Sequence, residues 1–225
     1  MNQSIPTMTY SRSAIGVCLI AASAIAIQTA GAYMPHLQSE EIRDAYFLGG
    51  STDGETLANF FGKYIRHIPC PNNGTCVSSI ELETPYVQVA EAARAHVGNY
   101  TALDAEKEFS ARPAVVILDV GITFAPSYSG PTTVYTASDN APAENGDTYF
   151  YGFRFRVAQR NTILPRRVSE QYSSLGGLSC RNCVNENHVY LEFDPGQLDS
   201  GVVHIAVTSP EGRTSIAEFD LDQLK

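Results

Sequence analysis

His67, Cys70 and Cys76 form one short Cys/His group, and Cys180, Cys183 and His188 form a second. A Cys-x-x-Cys spacing sets two thiolates on one tight turn, which suits a tetrahedral zinc ion. Neither group reaches four suitable ligands alone. A metal centre would therefore draw on both, from His67, Cys70, Cys76, Cys180, Cys183 and His188. The same sulfurs serve equally as disulfides. The favoured pairs are Cys70–Cys76, closing the turn Pro71-Asn72-Asn73-Gly74-Thr75, and Cys180–Cys183; the alternative pairing staples the two halves of the chain together. Redox catalysis is a third use, but that motif should open a helix after a strand. Here it follows Ser173-Ser174-Leu175-Gly176-Gly177, between apparent β-strands.

Five arginines lie close together: Arg154, Arg156, Arg160, Arg166 and Arg167. Arg154 and Arg156 are two apart on a predicted strand and so share a face, opposite Tyr149, Tyr151, Phe153 and Phe155. In an acidic chain this cluster is a candidate site for a carboxylate, a phosphate or an acidic glycan. The plainer reading pairs each arginine with Asp or Glu on neighbouring strands. Asp194, Asp199, Asp220 and Asp222 are weaker calcium candidates. None belongs to an Asp-x-Asp-x-Asp-Gly run, and Asp194-Pro195-Gly196 reads as a turn.

The common catalytic motifs are absent: no G-x-S-x-G, no H-E-x-x-H and no S-x-x-K. Gly49-Gly50-Ser51-Thr52-Asp53-Gly54 lacks the lysine of a nucleotide-binding loop, so helix capping accounts for it better. No cofactor is expected. The histidines (His36, His67, His96, His188 and His204) are scattered, so a hydrolase would have to assemble its site in three dimensions. Asn73-Gly74-Thr75 and Asn99-Tyr100-Thr101 match the glycosylation pattern.

The start of the chain decides between these uses of cysteine. Residues 1–32 carry one charge, Arg12, followed by an apolar run from Ala14 to Ile27. That run is shorter than the roughly 20 residues of a bilayer span and suits the core of a signal peptide. Ala30-Gly31-Ala32 then offers small residues where signal peptidase needs them, so cleavage is expected before Tyr33. Retention as an uncleaved anchor is the alternative. Cleavage removes Cys18 and leaves an even set of four cysteines in an exported, secreted or periplasmic chain. There disulfides come first and metal second.

The whole chain has 15 Lys and Arg against 24 Asp and Glu, a net charge of −9. Loss of Arg12 makes the remainder one unit more acidic. Such a chain repels nucleic acid and anionic membrane surfaces, and stable membrane insertion is not expected after cleavage. A protein or an anionic ligand is the expected kind of partner. The chain holds no Trp, which counts against a sugar-binding platform.

The elements that must position these residues change character near Pro113. Before it the pattern is helical. Ser39 caps a helix to about Leu48, stopped by Gly49-Gly50. Thr52 and Glu55 read as a capping box for a helix whose face is Leu57, Phe60, Phe61, Tyr64, Ile65 and Ile68. Val77 to Glu83 reads as a short strand. Thr84-Pro85 starts a third helix and Thr101 caps a fourth, to about Ala111. After Pro113 the period becomes two: 114–124, 148–159, 188–193, 201–208 and 214–221 read as strands, with a weaker one over 132–136. Residues 137–147 and 161–187 read as loops. The last hairpin, turning through Ser209-Pro210-Glu211-Gly212-Arg213, resembles the closing strands of immunoglobulin-like or C2-like sandwiches, which implies fold alone.

The expected fold is therefore α+β: a signal peptide over 1–32, a mainly helical segment over 33–113, and an antiparallel β-sandwich over 114–225. The expected function is an exported, non-enzymatic binding or structural module. A Cys/His metal or redox protein and a secreted hydrolase are the alternatives.

Overall fold

The computed structural model describes residues 33–71, 75–96, 98–124, 147–150, 152–163, 165–173 and 186–225. The expected signal peptide, the strand over 132–136, most of the loop over 137–147, and Cys180 and Cys183 lie outside these residues.

Four helices are described. α1 spans Ser39–Gly49, and its N-cap is Gln38, one residue before the expected Ser39. The Glu41 carboxylate accepts from the Gln38 backbone N–H at 2.8 Å, which settles the start. α2 spans Gly54–Phe61. Its cap is Asp53, not Thr52: the Asp53 carboxylate takes the N–H groups of Glu55 and Thr56. α2 also stops at Phe61 instead of running to Ile68. Gly62 follows it, Tyr64 turns into the core, and Ile65–His67 forms a strand, β1. Ile65 belongs to an edge strand, where cross-strand pairing outweighs helical periodicity, and Ile68 follows it with its N–H on the Ser78 carbonyl. α3, Pro85–Ala95, and α4, Ala102–Ala111, start as expected at Thr84-Pro85 and Thr101. Thr101 exchanges bonds with Asp104 in a capping box.

Two antiparallel sheets accompany the helices. β2 is Cys76–Glu83, β3 Val116–Thr123, β4 Thr148–Phe150, β5 Phe153–Ala158, β6 Thr162–Ile163, β7 Arg167–Ser173, β8 Glu186–Phe193, β9 Val202–Thr208 and β10 Thr214–Asp220. The first sheet runs β1-β2-β3-β8-β7, and the second runs β10-β9-β5-β4 with β6 also on β5. The expected single strand over 148–159 is thus a hairpin, β4 and β5. Gly152, at φ 78°, makes its turn. That turn resets the alternation: Phe150 is buried, whereas Tyr149 pairs with Arg154 and shares its exposed face. The expected loop over 161–187 contains β6 and β7. β7 pairs along β8 from Arg167 opposite Glu192 to Ser173 opposite Glu186.

The alternation in β3 sends Val116, Leu118, Val120 and Ile122 into a core shared with Phe153, Phe155 and Val157 of β5 and Val203, Ile205 and Val207 of β9. Burying each such side chain contributes roughly 1.5–3 kcal/mol, so the one cluster joins the two sheets. A second cluster, centred on Ile42, Ala45, Tyr86, Val89 and Ala105, holds α1, α3 and α4 together. α3 is tied to the first sheet by Gln88, whose Nε2 donates to the carbonyls of Glu83 at 3.1 Å and Val115 at 2.9 Å. No helix among the described residues is long and apolar enough to cross a membrane.

Candidate functional site

Cys70 and Cys76 form a disulfide, with their Cα atoms 5.8 Å apart. It closes the turn between β1 and β2. In register, Cys76 faces Thr123, Thr123 faces Glu186 and Glu186 faces Ser173. The chain therefore leaves β7 and re-enters β8 at the same end of the sheet as the disulfide. Sulfurs bonded to each other are not thiolates, and thiolates are what zinc binds. Among the described residues no group of three His, Cys, Asp or Glu side chains converges as a metal site.

The five arginines divide between both sheets, each beside a carboxylate. Arg156 Nε lies 2.6 Å and Arg154 Nε 3.7 Å from Asp147, whose side chain is only 3 % exposed. Arg166 and Arg167 both approach Glu192, at 3.7 and 3.6 Å, and Arg160 lies 3.7 Å from Asp199. The fold brings Arg154 and Arg156 together on β5, and Arg166 and Arg167 together at the start of β7. Asp194 and Asp220 cap short turns through the N–H groups of Gly196 and Asp222. His204 is 3.0 Å from Glu218 and His96 2.9 Å from the Ala92 carbonyl.

Sequence reading missed the polar face of the first sheet. Opposite residues in a ladder point the same way. One row across that face is His67, Ser79, Gly121 and His188; the next is Ile65, Glu81, Asp119, Tyr190 and Ser169. The fold thus sets His67 and His188, far apart in sequence, in one row. Nδ1 of His188 donates to both oxygens of Asp119 at 2.9 Å. Glu83 and Glu91, from β2 and α3, join Glu81 and Asp119 in a half-buried carboxylate group. Burial first, then repulsion from Glu91, Asp119 and Glu81, pushes Glu83 up to about 9. Burial, Glu81 and Asp119 push Glu91 up to about 7, against the pull of Arg94. Burial and Asp119 also raise Glu81, against His188, and burial with the surrounding carboxylates raises Tyr190 to about 12. Such spread between neighbouring acids is what proton-transfer chemistry requires, though structural networks produce it too. Its sequence signal was Asp119 and Gly121 alternating with Leu118, Val120 and Ile122.

A second feature is concave. A cleft of about 310 Å³ opens where the N-terminal end of α1, the start of α3, the end of α4 and the run into β3 meet. Leu37, Pro85, Phe109 and Pro113 supply apolar wall; Gln88 and Arg112 reach it from α3 and from the residue after α4. Nothing in the spacing of these residues marks the cleft, because four separate elements build it. No family model, no curated protein and no solved structure matches this chain.

Proposed function

We propose that the protein is exported and acts as a non-enzymatic binding module, taking a small ligand into the cleft between α1, α3, α4 and the start of β3. The observation that carries this reading is the cleft itself: one half-open concave site whose lining is mainly polar, from His36, Gln38, Ser39, Gln88, Ser110 and Arg112, with Leu37, Pro85, Phe109 and Pro113 adding apolar contact. Export accords with the oxidised Cys70–Cys76 pair, since such bonds persist outside the reducing cytosol. The one core shared by both sheets accords with a sandwich of the immunoglobulin-like or C2-like kind.

Two measurements test this. The intact mass of the exported protein should begin at Tyr33 and rise on reduction by one hydrogen pair per disulfide. A species beginning at Met1 sinks the cleavage. A fragment panel of mixed charge, followed by two-dimensional NMR, should move amide signals of Gln88, Ser110 and Val115. If no fragment moves them, the binding reading fails.

A hydrolase is the second reading, favoured by one arrangement. With the His188 Nδ1 proton given to Asp119, Nε2 is left as an acceptor, and Ser79 lies in the same row. Hydrolysis of p-nitrophenyl acetate by the wild type and by His188→Gln decides it. Equal rates end that reading.

A further inference from the structure

The cleft contains no carboxylate among its lining residues, in a chain with 24 Asp and Glu. Its ionisable groups are His36 and Arg112. Arg112 is held from several sides. Its guanidinium lies over the Phe109 ring, 3.7 Å from the centroid. Both N–H bonds of the Gln88 amide are given to the Glu83 and Val115 carbonyls, so Gln88 Oε1 turns to Arg112, at 3.4 Å from Nη2. Glu108 is the nearest ion-pair partner, at 3.8 Å from Nη1. A guanidinium has five N–H donors, and these long contacts leave it the capacity to bind an acceptor. The end of α1 adds nothing to this, because Glu41 already occupies the Gln38 N–H.

We propose that the cleft binds a small monocarboxylate with an apolar or aromatic body, its carboxylate on Arg112 and its body against Phe109, Leu37 and the prolines. The proposal rests on the binding reading above and names its ligand class. Planar guanidinium and planar carboxylate match in a two-bond fork, and Leu37, Pro85 and Pro113 offer the body of the ligand apolar contact in an otherwise polar cleft. Phe109 and Gln88 hold the fork in place before the ligand arrives, which lowers the ordering cost of binding.

The test uses the exported chain and three probes of one shape: benzoate, benzyl alcohol and benzylammonium. Benzoate should move the amide signals of Gln88, Ser110 and Val115 saturably, at least about tenfold more tightly than benzyl alcohol. Arg112→Gln should lose that advantage, with benzyl alcohol unaffected. Arg112→Lys, which keeps the charge without the fork, should fall between. Equal binding of benzoate and benzyl alcohol, or undiminished benzoate binding by Arg112→Gln, overturns the carboxylate assignment and leaves the binding reading standing. Failure of all three probes at the cleft overturns the carboxylate assignment, whereas the binding reading falls only with the fragment panel. An unchanged thermal midpoint in Arg112→Lys separates loss of binding from loss of fold.

Discussion

Asp119 holds the ring of His188 by both carboxylate oxygens, each 2.9 Å from Nδ1, across adjacent strands β3 and β8. Asp119 is 13 % exposed and His188 25 %. The pair therefore sits where solvent screens it only in part. Its charge reaches the acids beside it: Asp119 helps to raise Glu81, Glu83, Glu91 and Tyr190. Asp119→Asn removes that repulsion. Glu83 and Glu91 should then titrate at lower pH than in the wild type. Carboxyl carbon shifts followed through a pH series give the answer, and unchanged midpoints would show that Asp119 contributes nothing to them, leaving burial and the neighbouring glutamates.

The same acids dictate how stability varies with pH. Glu83 stands at about 9 and Glu91 at about 7 in the folded protein, against an ordinary value of 4.5. The folded state thus keeps protons that the unfolded chain has released. Between about pH 4.5 and 9 the native state binds more protons, so stability falls as pH rises. The groups facing this region are Glu81, Asp119, Tyr190, His188 and Arg94, and the last two oppose the effect only in part. The urea midpoint should be higher at pH 5 than at pH 8. Glu83→Gln should flatten the slope and gain stability at pH 8. A midpoint that rises from pH 5 to pH 8 would count against the protonated Glu83.

How much of this was legible in sequence depends on the range of the forces involved. The starts of α3 and α4 were, because Thr84-Pro85 and Thr101 act on their own next turn. So was the alternation in β3, since its apolar side chains all meet one core. The end of α2 was not: Ile65 continues a helical spacing but pairs with Glu81, a residue across a disulfide-closed turn. The hairpin at Gly152 was hidden because Tyr149 and Phe153 keep a period of two through the turn. The row of His67, Ser79, Gly121 and His188 needs the register of three strand pairings, and no local pattern carries register.

The Cys70–Cys76 bond closes a short loop, with a sequence separation of 6. Chain-entropy arguments give such a loop about 2 kcal/mol. Replacing both cysteines by serine should lower the unfolding free energy by about that amount, without changing the cooperativity of the urea transition. A loss below a few tenths of a kcal/mol would mean that the reduced turn already holds its ends together.

Asp147 is buried and paired with Arg156 at 2.6 Å, whereas Asp199 and Arg160 are both exposed at 3.7 Å. Arg156→Gln leaves a buried carboxylate with Arg154, 3.7 Å away, as its remaining cation among the described residues. Arg160→Gln disturbs only solvated charges. The first variant should lower the urea midpoint clearly and the second hardly at all. Equal effects would place Asp147 in better contact with water than its burial allows.

Gly49 ends α1 where that helix meets α3. A Cβ at this position would fall 2.0 Å from the backbone oxygen of Ala90, a contact no rotamer relieves. Gly49→Ala must therefore push α1 away from α3 and loosen Ile42, Ala45, Tyr86 and Val89. Overpacking of this kind costs about 1–3 kcal/mol. Gly54 provides the contrast: nothing lies within 4 Å of its Cβ position, at the first residue of α2. Gly54→Ala should be neutral or stabilising by up to about 1 kcal/mol, through the entropy of the unfolded chain. Paired urea melts of the two variants check the helix packing directly, and a Gly49→Ala protein as stable as wild type would refute the close approach of α1 to α3.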